Sequence, residues 1–368
     1  MELINNTAVA TNLLVAESAD PERRAVLGTA KATFVVAENG QVKLDKNDPM
    51  PVYTKDVETR YGILPREDIP RLDPAFEVMV LGNAYAPGGR AVQESRVSLQ
   101  VGHVEQSLIV HGDRHWEGQG ADARIGAAEP FTRLPLRWDR AFGGTQEVEI
   151  DEDSFVDVTD PVNAEGKGFN YQPQVDELAA ALKCPAGYPR FKLPRPLPNI
   201  ESPAAPIAKP DDSPLPVCWA PCMGSSGIIV ERIRRAQKAA GDDAELQAQA
   251  VTLGSPLMLH RAHPDWVIEA PVAEASVRLE GMTKSGVMEF VLPPVRVVLD
   301  VAIAGEERAL ELHPNTMMLF PDLNKFTLTF RGTLPYRYRP EDQRTARVRL
   351  DKGWKPAPRS AAQNRRTP

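Results

Sequence analysis

Four histidines in two short segments, HGDRHW and HRAHPDW, could support metal-dependent chemistry. They are His111, His115, His260 and His263. Two histidines four residues apart bring their imidazoles together on a helix. The first segment instead follows a predicted strand and contains a glycine, and the second contains Pro264 and lacks a third ligand at a usual spacing. The sequence therefore does not predict a metal site, and a hydrolase that uses these histidines as metal ligands is kept as an alternative.

The segment HGDRHW has the composition of a fixed corner at the end of a strand. Asp113 and Arg114 can tie down such a corner by charged hydrogen bonds to backbone groups. Trp116 is a large side chain that can fill one end of a core. We therefore predict a structural role for this segment.

The cysteine and serine patterns differ from those that redox or nucleophilic chemistry needs. Cys218 and Cys222 form a C-x3-C pair, whereas thioredoxin-like chemistry uses C-x2-C and zinc needs a second pair, which Cys184 alone cannot supply. Two buried thiols near Trp219 are the expected arrangement. The segment 224–227, Gly-Ser-Ser-Gly, lacks the Gly-x-Ser-x-Gly spacing of a nucleophile elbow. We predict a protein that is not an enzyme and that binds no cofactor or metal.

Six carboxylates lie within eleven residues near the middle of the chain: Glu147, Glu149, Asp151, Glu152, Asp153 and Asp157. Clustered carboxylates can bind calcium, but the spacing lacks the Asp-x-Asp-x-Asp-Gly-x5-Glu pattern of a calcium-binding loop. We interpret this cluster as a solvated acidic loop.

The elements that must position these residues are mainly strands. Apolar runs and alternating patterns predict two runs of short antiparallel strands, arranged as a sandwich or a barrel-like sheet. In the first run, residues 78–81 are typical of a strand buried on both faces, and residues 97–101 alternate. Pro87-Gly88-Gly89 between them has turn composition, which predicts a hairpin, with a third strand at 108–110. Asn39-Gly40 predicts a further hairpin.

The second run of strands lies between residues 277 and 330. Ala304-Gly305-Glu306-Glu307 has the composition of a hairpin loop between two of these strands, and Pro321-Asp322 that of another turn. Residues 229–251 are rich in helix-forming residues and are interrupted by Gly241-Asp242-Asp243. Because glycine ends helices and aspartate caps them, the interruption predicts two short helices, the second capped by Asp242 or Asp243.

The distribution of proline divides the chain into regions. The sequence contains 34 prolines, and ten of them lie between residues 185 and 216, where they exclude a long helix. We predict an N-terminal β region at 1–144 and an acidic and proline-rich connecting segment at 145–220. A helical segment with a C-terminal β region follows at 221–350, and residues 351–368 are expected to be a disordered tail.

Charge and the ends of the sequence exclude several classes of protein. A net charge of −7 argues against nucleic-acid binding, which depends on clustered lysine and arginine. Glu2 stands where a signal peptide needs positive charge, and no stretch approaches the roughly 18 apolar residues of a membrane helix. Three cysteines do not make a disulfide framework. We predict a cytoplasmic protein without nucleic-acid or membrane partners.

Six short motifs resemble, in order, those of a bacterial family defined only as a domain of unknown function. They are KATF at 31–34, GNAYAPGG at 82–89, GDRHW at 112–116, DRAFGG at 139–144, LPNIE at 197–201 and LEGM at 279–282. The residues that mark this family are Tyr85, Gly88, Gly89, Gly112, Asp113, Arg114, Trp116, Arg140, Phe142 and Gly144. Because glycine and turn residues are prominent among them, we predict that they form the scaffold.

The resemblance also implies a function, since members of this family are associated with type VI secretion clusters. It implies a non-enzymatic adaptor or chaperone that binds a secreted effector, or its spike-tip domain, and assists loading onto the secretion spike. The expected partners are the effector and a spike or spike-tip protein. Besides the hydrolase, a second alternative is a structural component of the apparatus that leaves with the effector. An adaptor needs open strand edges, apolar patches or straps, and the proline-rich segment is one candidate.

Overall fold

The computed structural model describes residues 1–59, 62–64, 75–118, 123–169, 175–191, 195–222, 225–241, 243–254, 260–270 and 274–352. Across these residues strands dominate, and the α-helices are three short ones. The prediction of a mainly β protein with few short helices is therefore confirmed. Of the tail expected at residues 351–368, Asp351 and Lys352 belong instead to the last strand, Arg344–Lys352. Residues 353–368 and most of residues 60–74 lie outside the described residues.

The strands are numbered along the chain. The first fourteen are β1 Glu2–Ile4, β2 Ala10–Glu17, β3 Arg23–Val36, β4 Val42–Leu44, β5 Val57–Thr59, β6 Gly62–Leu64, β7 Phe76–Val80, β8 Asn83–Tyr85, β9 Glu94–Val101, β10 Val104–His111, β11 His115–Glu117, β12 Arg124–Ile125, β13 Arg133–Pro135 and β14 Phe142–Gly143. The others are β15 Thr145–Glu149, β16 Phe155–Thr159, β17 Lys167–Gly168, β18 Arg190–Phe191, β19 Arg195–Pro196, β20 Ile200–Glu201, β21 Val267–Ile268, β22 Ser276–Glu280, β23 Val287–Val291, β24 Val295–Ile303, β25 Glu306–Phe320, β26 Lys325–Arg337 and β27 Arg344–Lys352. The helices are α1 Val175–Leu182, α2 Ser225–Ala240 and α3 Ala244–Gly254.

The largest sheet has ten strands and combines both β regions of the sequence. Its main path runs β1-β27-β24-β25-β26-β3-β2, and β4, β7 and β21 pair at its sides. The pairing of β3 with β26 extends from Val35 opposite Lys325 to Arg23 opposite Arg337. The sheet curves into a nearly closed, barrel-like form. The first and last thirds of the chain are thus held in one sheet.

Strand β7 lies inside this sheet, as its apolar composition predicts. All five of its residues are buried. It pairs in parallel with β25, where Val78 lies opposite Met317, and in antiparallel fashion with β21. Because both of its faces and both of its edges are covered, the prediction of a strand buried on both faces is confirmed.

A second sheet of five strands, in the order β20-β10-β9-β22-β23, packs against the first. Phe326 on β26 stacks on Phe290 of β23 with ring centroids 4.5 Å apart, and on Phe34 of β3 at 4.9 Å. All three rings are buried. Burial of one such side chain contributes about 2–3 kcal/mol, so this stack is a strong contact between the two sheets.

The hairpin predicted between residues 78–81 and 97–101 is wrong. β9 pairs with β10 through a two-residue turn, with Val101 opposite Val104, whereas β7 belongs to the larger sheet. The intervening residues form β8, which pairs with β13, and a single helical turn at Pro87–Gly89. The turn composition was correct, but it closes a loop between two sheets and does not join two paired strands.

The other turns that the sequence predicts are confirmed. Asn39-Gly40 connects β3 with β4, and the φ of Gly40 is +78°. Ala304 and Gly305 join β24 to β25 with φ values of +53° and +85°, the left-handed backbone that tight hairpins need. The turn at Pro321–Leu323 joins β25 to β26.

The helical segment divides where the glycine predicts. Gly241 follows α2 with a φ of +57°. The Asp243 carboxylate accepts hydrogen bonds from the backbone N–H groups of Glu245 at 3.0 Å and Leu246 at 3.1 Å, which caps α3. Asp242, the alternative cap, lies outside the described residues. None of the described helices combines the length and the apolar character needed to cross a bilayer.

The acidic cluster, predicted as a loop, lies on a hairpin: three of its carboxylates are on the strands and three are in the turn between them. β15 pairs with β16 from Thr145 opposite Thr159 to Glu149 opposite Phe155. Valines occupy the face toward the protein, and Val148 is fully buried. The sequence prediction missed these strands because the many carboxylates on the other face masked a clean period of two.

Candidate functional site

Three of the sequence motifs meet at one corner of the fold, and Asn199 joins them. This residue is fully buried. Its side-chain amide donates hydrogen bonds to the backbone carbonyl of His111 and to Asp113 Oδ1, both at 3.0 Å. Its Oδ1 accepts a hydrogen bond from Arg140 Nη1 at 3.2 Å. One amide therefore connects the segments GDRHW, DRAFGG and LPNIE, a role that the sequence did not reveal.

Asp113 is surrounded by donors. Lys167 Nζ donates to Asp113 Oδ1 at 2.7 Å and Arg140 Nη1 donates to the same oxygen at 3.1 Å. The hydrogen bond from Lys167, together with that from Asn199, holds the pKa of Asp113 below its usual value. Its carboxylate is an ionised acceptor that two cations neutralise, which suits a structural tie better than a general acid or base.

Beneath this carboxylate lies a buried ion pair. Arg114 donates a hydrogen bond to Glu201, and both side chains are almost completely buried. Burial lowers the pKa of Arg114, and the charge of Glu201 opposes that shift. His111 lies beside the pair, with its Nε2 3.7 Å from Glu201 Oε2 and its Nδ1 3.4 Å from Glu94 Oε2. The segment HGDRHW is thus anchored to LPNIE by charge as well as by the amide of Asn199.

Two glycines at the corner are required by close backbone contacts. A Cβ on Gly112 would lie 1.7 Å from the carbonyl oxygen of Glu129. A Cβ on Gly144 would lie 2.1 Å from the carbonyl oxygen of Gly166, and the φ of Gly144 is +89°. Neither position has room for a side chain.

A small second core lies under the corner. Its buried residues are Trp116, Phe142, Leu197 and Ile207. Phe169 contacts Phe142 edge to face with ring centroids 6.3 Å apart. This cluster contains one residue from each of the three motifs, so the motifs share packing as well as hydrogen bonds.

An open cleft of about 450 Å³ lies above the corner. It is lined by Asp113, Arg114, His115, Glu129, Asp139, Arg140, Lys167 and Pro196. Charges of both signs line it, and Asp113 pairs there with Arg140 and Lys167. The lining residues include no serine, threonine, tyrosine or cysteine. The cleft can hold a small polar group.

A second junction joins GNAYAPGG to LEGM. The Tyr85 hydroxyl donates to Asp322 Oδ1 at 2.7 Å, and Asn83 Nδ2 donates to Asp322 Oδ2 at 2.5 Å. The Tyr85 backbone N–H donates to the carbonyl of Gly281 at 2.8 Å. Asp322 lies 237 positions from Tyr85 in the chain, so sequence spacing gave no indication of this contact.

The turn glycines in the same motif have a different role. Gly88 and Gly89 have φ values of +63° and +70°, and a Cβ on either would meet no atom within 4 Å. Their requirement is conformational, because the turn needs a left-handed backbone.

The sequence identifies the family directly. Residues 22–331 match the family model for an uncharacterized protein conserved in bacteria, DUF2169. The chain belongs to the DUF2169 family. The matched residues include all six motifs, while the family's description assigns no activity. No curated protein and no solved structure matches the sequence.

The four histidines of HGDRHW and HRAHPDW in this DUF2169 protein lie in different environments. His115 is exposed, and His260 Nδ1 lies 2.6 Å from Glu77 Oε1 in a buried pair. His263 stacks on Trp138 with ring centroids 6.3 Å apart, and burial lowers its pKa to about 4. Within the described ranges, no group of three or more histidine, cysteine, aspartate or glutamate side chains is arranged to hold a metal ion.

The cysteines of the DUF2169 protein are free thiols. Cys218 and Cys222 are buried, as expected, while Cys184 is partly exposed. Burial raises the pKa of Cys218 to about 12, so this thiol stays protonated at neutral pH. Ser225 begins α2, but Gly224 of the segment Gly-Ser-Ser-Gly lies outside the described residues.

Proposed function

We propose that this DUF2169 protein is a non-enzymatic adaptor or chaperone that binds a secreted effector, or its spike-tip domain. In this proposal it assists the loading of that partner onto the spike of a type VI secretion machine. The observation that carries the proposal is a set of open strand edges with exposed apolar side chains. The motif resemblance described above supplies the class of partner.

The edges that no described strand pairs with belong to three different sheets. Among the described strands, β2, β16 and β23 are each paired on one side only. They expose Leu14 and Val15 on β2, Phe155 on β16, and Val287 and Val291 on β23. Edge strands of this kind offer unpaired backbone donors and acceptors, and a partner can add a strand to them.

The corner built by the motifs supports the same proposal. Asp113 is neutralised by Lys167 and Arg140, and Arg114 by Glu201. Groups that saturate each other hold loops together, whereas a catalytic site keeps an acid, base or nucleophile available to substrate. We infer that the motif residues maintain the shape of a binding protein.

The test is an affinity purification of the tagged protein from cells that express its neighbouring genes, followed by mass spectrometry and metal analysis of the eluate. A near-stoichiometric effector or spike-tip protein that co-migrates after co-expression of the two proteins alone is the expected result. A monomer that retains stoichiometric zinc or calcium would instead indicate the hydrolase. Recovery of the protein itself in the secreted fraction would indicate a structural component.

A further inference from the structure

We infer that the outer edge of β16 is a docking site for an extended, basic segment of a partner protein. The site is the sheet formed by β16, β15 and β18 together with the turn at residues 150–154. This inference rests on the proposed function, since it locates the surface by which an adaptor would hold its partner. It is carried by the backbone of β16, by one exposed aromatic ring and by the charge of the sheet.

The backbone of β16 presents an unused row of hydrogen-bonding groups. Asp160 N–H donates to the Gly144 carbonyl at 2.8 Å, and Ile150 N–H donates to the Ser154 carbonyl at 2.9 Å. In an antiparallel pair every second residue bonds to its neighbour strand. The even-numbered residues of β16 therefore bond to β15, and the N–H and C=O groups of Phe155, Asp157 and Thr159 point to the free edge.

Phe155 is an exposed aromatic ring on this strand. Its side chain is 60% exposed, the highest value for a large apolar residue in the described part of the chain. It lies opposite Glu149 in the strand register, on the same face as the exposed Asp157. A strand added to this edge would pack beside the ring and remove it from water.

The charge of the sheet selects the kind of partner. The three strands and their turn contain six carboxylates and one arginine, Arg190. Arg190 donates to the Gly187 carbonyl at 3.0 Å and lies over the Tyr188 ring. Lysine or arginine side chains of an added strand would complement this excess of carboxylates.

The other two edges are less suited to this role. On β23, the Asn39-Gly40 turn covers the edge closely enough that a Cβ on Gly40 would lie 2.8 Å from the Glu289 carbonyl oxygen. On β2, Glu17 already pairs with Arg24 at 3.3 Å. The edge of β16 therefore combines an open backbone, an exposed ring and unbalanced charge.

The proposal is tested with a fluorescent hexapeptide of alternating lysine and valine, titrated at low salt and followed by fluorescence anisotropy. Asp157→Pro blocks the outward N–H without removing a bond to β15, because proline is tolerated at such an edge position. Phe155→Ser removes the ring, and Glu105→Gln is the control, since it removes an exposed carboxylate elsewhere. We expect binding about tenfold weaker for each of the first two variants and unchanged binding for the control.

Several outcomes would overturn the inference. These are no peptide binding to the unaltered protein, binding to Asp157→Pro and Phe155→Ser as tight as to the unaltered protein, or equally tight binding of a matched peptide of glutamate and valine. If the peptide binds tightly only after residues 353–368 are deleted, the edge is covered by the protein's own tail. If the protein is a dimer that Asp157→Pro dissociates, the edge binds a second copy. If purification yields the effector with Asp157→Pro as well as with the unaltered protein, the adaptor proposal stands and this edge is not its surface. If the peptide binds but purification captures no effector, the adaptor proposal fails, whereas the edge of β16 is still a site for a basic strand.

Discussion

The side-chain amide of Asn199 donates a hydrogen bond to Asp113 Oδ1 over 3.0 Å, and these two residues lie 86 positions apart in the chain. The contact joins the end of β10 to the proline-rich part of the sequence, which is thereby part of the folded corner.

Asn199→Ala is expected to lower the free energy of unfolding by about 2–3 kcal/mol, because a buried carbonyl and two charged groups lose a hydrogen-bonding partner. Urea denaturation measures the change. Asn47→Ala, at an exposed asparagine, is the control and should change stability by less than about 0.5 kcal/mol. Equal midpoints for the two variants would contradict the role assigned to Asn199.

Gly112→Ala is expected to cost about 3 kcal/mol or more, because its Cβ would overlap the Glu129 carbonyl and the backbone would have to move. Gly88→Ala is the matched control. The added Cβ meets no atom within 4 Å. Gly88→Ala should therefore lower the free energy of unfolding only by the roughly 1–2 kcal/mol that a left-handed alanine costs. Thermal unfolding of both variants tests the difference, and a greater loss for Gly88→Ala would contradict it.

His263 should make stability depend on pH. Burial lowers its folded pKa to about 4, while an unfolded histidine titrates near 6.5. Between these values the unfolded state binds more protons, so stability is fully present above about pH 6.5 and falls as the pH drops toward 4. The loss is expected to be on the order of 3 kcal/mol. Asp265 and Arg232 are the charged groups whose fields act on this histidine.

The measurement is the free energy of unfolding at several pH values in that window. His263→Gln should flatten the profile, because glutamine does not titrate. His115→Gln, at an exposed histidine, should leave the profile unchanged. A profile that keeps its slope in His263→Gln would assign the pH dependence to other groups.

Glu201→Gln should destabilise the protein by about 3–5 kcal/mol, because it leaves the buried Arg114 without its counter-charge. The exposed pair of Arg337 and Glu22, at 2.9 Å, provides the comparison. Glu22→Gln should cost less than about 1 kcal/mol. A double-mutant cycle with Arg114→Met isolates the pair, and a coupling energy near zero would contradict the assignment.

The sequence predicted the local parts of this fold well. Asn39-Gly40 and Ala304-Gly305 form hairpin turns and Gly241 separates two helices, because a left-handed backbone is a property of the residues at the turn itself. It also predicted a mainly β protein and the buried strand β7. It gave the wrong partner for β7 and a loop in place of the hairpin of β15 and β16.

The contacts of the candidate site depended on tertiary structure. Six motifs could be recognised separately in the sequence, but Asp322 meets Tyr85 and Asn199 meets Asp113 only after distant strands have paired. An apolar pattern specifies which face of a strand is buried, whereas every strand offers the same backbone donors and acceptors at its edges. The sequence by itself thus determined the turns, the strand content and the family. Only the folded chain decided which edges are paired, which remain open and which charges neutralise each other.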